Sequence, residues 1–314
     1  MTEPNDLKGV IAPLLTPFNH DGTIAEDIYI NHARRLLADG CVGLAPFGTT
    51  GEALSVGNNE RMQLLEALVD SGIAPSKLIP GTGLTNLIDT VALTKHTVKL
   101  GCAGAMTLPP FYFKDISENG LFTYFSKLIE LVSDDQLHLY LYHIPQVAGV
   151  GIPPNVVARL HTAFPDQVVG IKDSSGDWDN TRALLDIENL LVYPGSELPI
   201  VEAIQLGAPG CISATANLNA NAIAEVISLM HTGQTELALA KHTQVTNFRL
   251  TLQDYAPIPA QKRIMALWTG DERWANVRPP LDIMTAEKGQ LLVDILAKKY
   301  LLTADSLTSQ KEPA

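Results

Sequence analysis

Eight times in this chain a short apolar run is followed by a stretch patterned as an amphipathic helix, and that alternation restricts the fold more than any other feature. The runs are GVIAPLLTPF, CVGLAPFG, KLIPGTG, GAMTLPP, HLYLYHIP, VVGIKDSS, LLVYPGS and GCISATAN. Each is too short for a helix and ends in turn-forming residues, as a strand buried on both faces does. Between them, Ile28 to Asp39, Asn59 to Gly72, Leu87 to Leu100 and Asn119 to Val132 carry apolar residues at three- and four-residue spacing. Repeated βα units build a parallel sheet with its helices outside, and eight of them suit a closed (β/α)8 TIM barrel. An open doubly wound sheet shares much of the pattern. The class is α/β, and the barrel is the expectation for residues 1–220.

Past Asn217 no strand-like run appears. NAIAEVISLM, TELALAKHTQVTNFRLTLQ, IPAQKRIMALW and KGQLLVDILAKKY read as helices, so residues 221–305 are expected to form a C-terminal helical extension. Residues 306–314 are polar without periodicity and read as a disordered tail. A chain of 314 residues with 46% hydrophobic content can bury one large barrel. The formal net charge of −12 and isoelectric point near 5.0 argue against nucleic acid or an anionic membrane as partner. The opening MTEPNDLKGV has no leader pattern and no later stretch approaches the ~18 apolar residues of a membrane span, so the expected location is cytoplasmic. Cys41, Cys102 and Cys211 are far apart and odd in number, which suits free, packed thiols.

In such barrels the reactive groups come from the C-terminal ends of the strands and the loops after them. The sixth run ends a buried strand on Lys172. A strand-end lysine ordinarily snorkels to solvent or pairs with a carboxylate. Kept inside a polar pocket, it gives up its proton more readily and becomes a nucleophile. Tyr142 ends the preceding run, where its phenol can reach the same mouth and move a proton; the competing role is packing. Tyr140 shares its side of that strand, whereas His143 points away, toward a structural role.

The second run closes on GTTGE, in which Thr49, Thr50 and Gly51 form a tight turn whose amides and hydroxyls suit a small carboxylate, unless it is simply a capped turn. It is not a phosphate-binding loop, and GTGLTN lacks the third glycine of a dinucleotide fingerprint, so no cofactor is expected. Tyr112 lies in an aromatic FYF loop, and the seventh run closes on Gly195, Ser196 and Glu197. The eight histidines have no metal-ligand spacing and no G-x-S-x-G elbow occurs, so no metal is expected.

LLTPF, GTTGE, YHIP, VVGIKDSSG and GCISATAN, in this order, resemble the dihydrodipicolinate synthase and N-acetylneuraminate lyase family of pyruvate-dependent class I aldolases. The resemblance spans Leu7 to Tyr300. It implies that Lys172 forms an imine with the keto carbon of pyruvate, and that no other cofactor takes part. It further implies that Tyr142 shuttles protons, with Thr50 linking it to a Tyr112 that arrives from a neighbouring subunit. Thr49 and Thr50 match the clamp for the pyruvate carboxylate, and Gly195 and Ile212 match positions whose backbone lines the substrate cavity. A homotetramer built from tight dimers is the implied assembly, with small-molecule substrates, pyruvate and an aldehyde.

One departure bears on the aldehyde. Dihydrodipicolinate synthases carry an arginine two residues after the proline of the fifth strand, to grip the carboxylate of aspartate semialdehyde. Here YHIPQVAG places Val147 there, and the next arginine, Arg159, falls on the following helix. Gln146, Ser174, Ser175, Ser196 and Glu197 match hydroxyls instead, as in a 2-oxo-3-deoxy sugar acid. The expected function is therefore a Schiff-base aldolase or lyase that cleaves such an acid to pyruvate and an aldehyde. The rivals are condensation of pyruvate with aspartate semialdehyde, dehydration through the same imine, and a non-catalytic sensor on the same barrel.

Overall fold

A computed structural model describes residues 7–300. In chain order the elements are β1 (Val10–Ala12), α1 (Glu26–Ala38), β2 (Gly43–Leu44), α2 (Asn58–Asp70), α3 (Leu87–Lys99), β3 (Ala105–Thr107), α4 (Glu118–Val132), β4 (Leu139–His143), α5 (Pro145–Ala148), α6 (Pro154–Ala163), β5 (Val168–Asp173), α7 (Trp178–Leu185), β6 (Leu191–Pro194), α8 (Ile200–Gln205), β7 (Cys211–Ile212), α9 (Ala216–His231), α10 (Thr235–Gln253), α11 (Pro257–Thr269) and α12 (Ala286–Tyr300). Parallel ladders run β2–β1–β7 and β3–β4–β5–β6. Residues 78–81 join them, since Leu44 bridges Leu78 and Gly81 bridges Met106. β6 lies beside β7, and the ring of eight closes as a (β/α)8 barrel.

The third expected run pairs only through these isolated bridges because Pro80, at its middle, has no N–H to give a ladder; its carbonyl still accepts from Met106 N–H at 2.9 Å. Along every strand, alternate side chains turn inward. Ile11, Ile79, Met106, Tyr140, Tyr193 and Ile212 fill the barrel, while the outward set packs the helices. His143 follows the outward alternation, and its Nδ1 accepts from Ile152 N–H at 2.8 Å, the structural role expected of it. Cys41 and Cys211 are buried free thiols, and Cys102 is a half-buried one.

The boundary expected at residue 220 falls inside α9, whose apolar face packs on β1, α1 and α8 as the eighth helix of the barrel. The extension therefore begins with α10, and its Phe248, Ile264, Trp268 and Leu292 pack into one core with Leu15, Ile28 and Leu218 of the barrel. The tail expected over 306–314, with 301–305 before it, lies outside the described residues.

Two buried polar contacts fix the ends of this ring. At the seam, Asn217 accepts from Leu15 N–H at 3.2 Å and His32 Nε2 at 2.8 Å, and donates to the carbonyls of Pro13 and Ala214, both at 2.8 Å. That geometry makes His32 neutral, with Nδ1 accepting from Arg35 Nη2 at 3.2 Å. At the mouth, the turn after β2 ends on Glu52, in the left-handed region at φ 54°. Its carboxylate takes Lys262 Nζ from α11 at 2.5 Å and Arg278 N–H at 2.9 Å. Both side chains of the Glu52–Lys262 pair have no solvent exposure, and the ammonium lies 4.4 Å from the centre of the Phe18 ring. Burial pulls the Lys262 ammonium below its usual range, against the opposing attraction of Glu52.

Burial and the neighbouring Arg35 hold the His32 imidazole down to about 3. The unfolded chain takes up this proton below about pH 6.5 while the folded chain refuses it, so stability falls as pH drops from there toward 3. The slope contributed is at most about 1.4 kcal/mol per pH unit. Urea unfolding across this range should show it, and His32→Gln should flatten it; equal slopes would assign the acid loss to other groups. Lys262→Met strands a buried carboxylate and should lower stability by about 3–5 kcal/mol. The double variant Glu52→Gln, Lys262→Met should recover much of the loss. Equal destabilisation of single and double variants would mean packing, not charge, is what Lys262 supplies.

Candidate active site

Parallel pairing sets Tyr142 of β4 directly beside Lys172 of β5, with Tyr193 of β6 on its other side. All three turn into the barrel. Lys172 is buried at the end of its strand, its Nζ 3.4 Å from the Tyr142 phenol and 4.4 Å from the centre of that ring. The next residue, Asp173, turns outward, accepting from Thr181 Oγ1 at 2.7 Å, Asn180 Nδ2 at 3.0 Å and Ser175 N–H at 2.9 Å. These bonds fix the loop after β5, and with it the direction in which Lys172 leaves the strand.

The hydroxyl in contact with the Tyr142 phenol is Thr49 Oγ1, at 3.3 Å. The expectation that Thr50 links Tyr142 to Tyr112 is thus corrected. A 3-10 turn over Thr49–Gly51 rotates successive side chains by about a third of a turn, so only one of the two threonines can face the phenol. Thr50 is buried beside it and still borders the cavity. The N–H groups of Gly51, Glu52 and Ala53 bond back to Gly48 and Thr49, leaving those of Thr49 and Thr50 at the open end of the turn. Gly51 shapes this turn from behind: a Cβ there would stand 2.7 Å from the Leu14 carbonyl oxygen, and its own carbonyl accepts from Thr16 Oγ1 at 2.8 Å.

A cavity of about 600 Å³ opens above Lys172, bordered by Thr49, Thr50, Tyr142, Gly195 and Ser196 among the expected residues. A Cβ on Gly195 would collide with Ser174, so only glycine lets the end of β6 approach β5 this closely. Ile212 lies lower, in the inner core beneath the cavity. Tyr112 is 74% exposed, edge-on to Phe113 and outside the cavity. Beside Tyr142 and Thr49 a second, mostly apolar hollow of about 370 Å³ is walled by Phe47, Met106, Leu108 and Phe111.

The hydroxyl-binding set read from the sequence is only partly available. Gln146, Ser174, Ser175 and Ser196 all border the cavity; Gln146 Nε2 already donates to the Ser174 carbonyl at 2.6 Å, while Ser175 Oγ and Ser196 Oγ accept from Asp177 N–H at 3.1 Å and Leu198 N–H at 3.4 Å. Glu197 is fully buried and faces away, bonded to the hydroxyls of Ser213 and Thr215. Arg159 lies on α6, bonded to Asn119 and over the Phe122 ring, away from the cavity. What the sequence did not reveal is the outer wall: Arg249 and Gln253 from α10, with Ile258 and Gln261 from α11. No local pattern marks them, because their relation to Lys172 exists only once the extension folds over the mouth.

The chain is similar to known proteins over nearly all of its length. The family model of the dihydrodipicolinate synthetase family matches residues 6–299. A DapA-like lyase from Chloroflexus aurantiacus is 34% identical over 283 residues, covering 90% of this chain and 92% of that one. A 4-hydroxy-tetrahydrodipicolinate synthase from Methanothrix thermoacetophila is 30% identical over 304 residues, covering 95% and 99%. The crystal structure of dihydrodipicolinate synthase from Agrobacterium tumefaciens superposes with a TM-score of 0.85 at 32% identity, covering 93% of this chain and 99% of that one. The chain therefore belongs to the dihydrodipicolinate synthetase family and is an enzyme of its pyruvate-dependent lyase and synthase class.

Proposed function

We propose that this enzyme is a Schiff-base aldolase that reversibly cleaves a 2-oxo-3-deoxy sugar acid to pyruvate and a hydroxyaldehyde. The observation that carries the reading is the buried Lys172 amine 3.4 Å from the Tyr142 phenol at the floor of the cavity. The amine attacks the keto carbon, water leaves, and an imine forms whose nitrogen draws electrons from the neighbouring methyl carbon. That carbon loses a proton, and the enamine attacks the aldehyde; cleavage is the reverse path. The imine itself is the electron sink, so no separate cofactor enters. Tyr142 moves protons at the reacting oxygen, and Thr49 holds its phenol. The open amides of Thr49 and Thr50 take the pyruvate carboxylate.

Tyr112 completes the relay from a second copy, in a dimer or a tetramer. Supporting this are its exposure, that of Phe113, and the apolar hollow beside Tyr142 and Thr49. The acidic chain and its unpaired thiols fit a reducing, cytoplasmic setting. A second reading, condensation of pyruvate with aspartate semialdehyde, draws support from the Methanothrix relative and its name. Val147, exposed at the rim where that reaction calls for an arginine, speaks against it.

Borohydride added with pyruvate should inactivate the enzyme and leave a three-carbon adduct on Lys172, located by peptide mass mapping. Lys172→Arg should give neither adduct nor turnover, because a guanidinium stays protonated. An adduct on another lysine, or none, ends the proposal. Tyr142→Phe should keep most of the pyruvate trapping while kcat falls by about 10²–10³-fold. Near-normal turnover would return Tyr142 to a packing role.

A further inference from the structure

If Lys172 carries pyruvate, the far end of the substrate lies against the outer wall of the cavity, and the cation on that wall is Arg249. Its Nη1 is fixed 3.3 Å from both Glu197 Oε2 and Ser213 Oγ. Glu197 in turn is sealed from solvent, held by the hydroxyls of Ser213 and Thr215, while His242 Nε2 binds its backbone carbonyl at 2.8 Å. These contacts come from two turns of α10 and clamp it to the loops after β6 and β7. Among the described residues neither Nε nor Nη2 of Arg249 has an acceptor, and the side chain borders the Lys172 cavity at 19% exposure. On the same wall, Gln261 is buried and its Oε1 has no donor.

We propose that Arg249 is the specificity-determining residue for the aldehyde half of the substrate, and that it selects a hydroxyl over a carboxylate. The inference rests on the imine reading and names what the opposite end of the same site recognises. Glu197 already neutralises the guanidinium, so an incoming carboxylate would have to share a cation whose counter-charge is buried and cannot leave. The carboxylate of Glu202, which also borders the cavity, would oppose it further. A hydroxyl meets no such competition: it accepts from Nη2, the guanidinium nitrogen left uncommitted on the cavity side, and donates to an acceptor on the same wall such as the amide oxygen of Gln253. The wall thus supplies one donor group and one acceptor group with a formally neutral ion pair behind them, the complement of a polyol chain.

The test compares kcat/KM for condensation of pyruvate with glyceraldehyde, with propionaldehyde, which has the same carbon chain without hydroxyls, and with aspartate semialdehyde. The unmodified enzyme should prefer glyceraldehyde to both. Arg249→Met should lower glyceraldehyde use by about 10–100-fold, mostly through KM, and propionaldehyde use by less than about threefold, with Arg249→Lys between. Since Arg249→Met leaves Glu197 without its cation, the double variant Arg249→Met, Glu197→Gln is measured alongside; it should melt like the parent and show the same selective loss. Equal losses on glyceraldehyde and propionaldehyde would make Arg249 a structural clamp and overturn the inference. A larger loss on aspartate semialdehyde, as the best substrate of the parent, would make it a carboxylate receptor and overturn it too. Borohydride trapping of pyruvate on Lys172 separates the two levels: without it the imine reading falls and takes this one with it, whereas intact trapping with unselective losses sinks this one alone.

Discussion

An ammonium and a carboxylate with no contact with water hold the mouth of this barrel in shape. Glu52 ends the threonine turn in a left-handed conformation that a residue with a Cβ adopts reluctantly, and Phe47, before that turn, is left-handed as well. Two such residues within six positions would relax into other turn geometries unless something outside the turn opposed it. Lys262 does so from α11, far along the chain, and Arg278 N–H takes the second carboxylate oxygen. Desolvating both charges is unfavourable by several kcal/mol each, and their close approach offsets it only while both remain. The pair therefore makes the orientation of Thr49 depend on the C-terminal helices being in place, and those helices are structural parts of the site.

The rest of the site depends on strand pairing, which is less strained. Direct register between β4 and β5 places Tyr142 next to Lys172 with no side-chain device to arrange it, because parallel neighbours at one level point to the same face. Tyr140, one inward position earlier on β4, and Tyr193, beside Lys172 on β6, pack with ring centres 6.1 Å apart and deny the lysine any retreat into the core. Its amine therefore stays at the level of the phenol. Closure of the ring then fixes the level itself, since Asn217 bonds the end of β1 to the start of α9 and to α1 together.

What could be read from the sequence follows the range of the interaction concerned. The shared face of Tyr140 and Tyr142 comes from a period of two within one strand, and α10 was legible at both ends because its unbroken helix-forming run lies between Gly233 and Pro257. The assignment of Thr49 rather than Thr50 to the phenol was hidden, since it rests on the local rotation of a 3-10 turn that hydrophobic pattern does not encode. Residues 78–81 looked like a strand as regular as the others, yet Pro80 removes the donor a ladder needs. Glu197 and Arg249 failed for a third reason. A carboxylate at a strand end looks available until a cation 52 residues later in the chain claims it.

These facts divide the cavity between two parts of the chain with different freedom. The floor, with Lys172, Tyr142 and Thr49, belongs to strand ends and a pinned turn, where a shift of one residue reverses faces or breaks a buried pair. The outer wall belongs to α10 and α11, where a side chain can change without disturbing pairing, provided its buried partner changes too. Arg249 illustrates the proviso, since replacing it alone strands Glu197. The floor can therefore stay constant while paired substitutions on the helices vary what the wall meets, and position 147, exposed on α5, is a second place from which a charge can reach the same space. In this chain that place holds a valine, and the wall holds an arginine already paired with Glu197 and, beside it, the carboxylate of Glu202, so the far end of the cavity offers hydrogen bonds and no uncommitted cation.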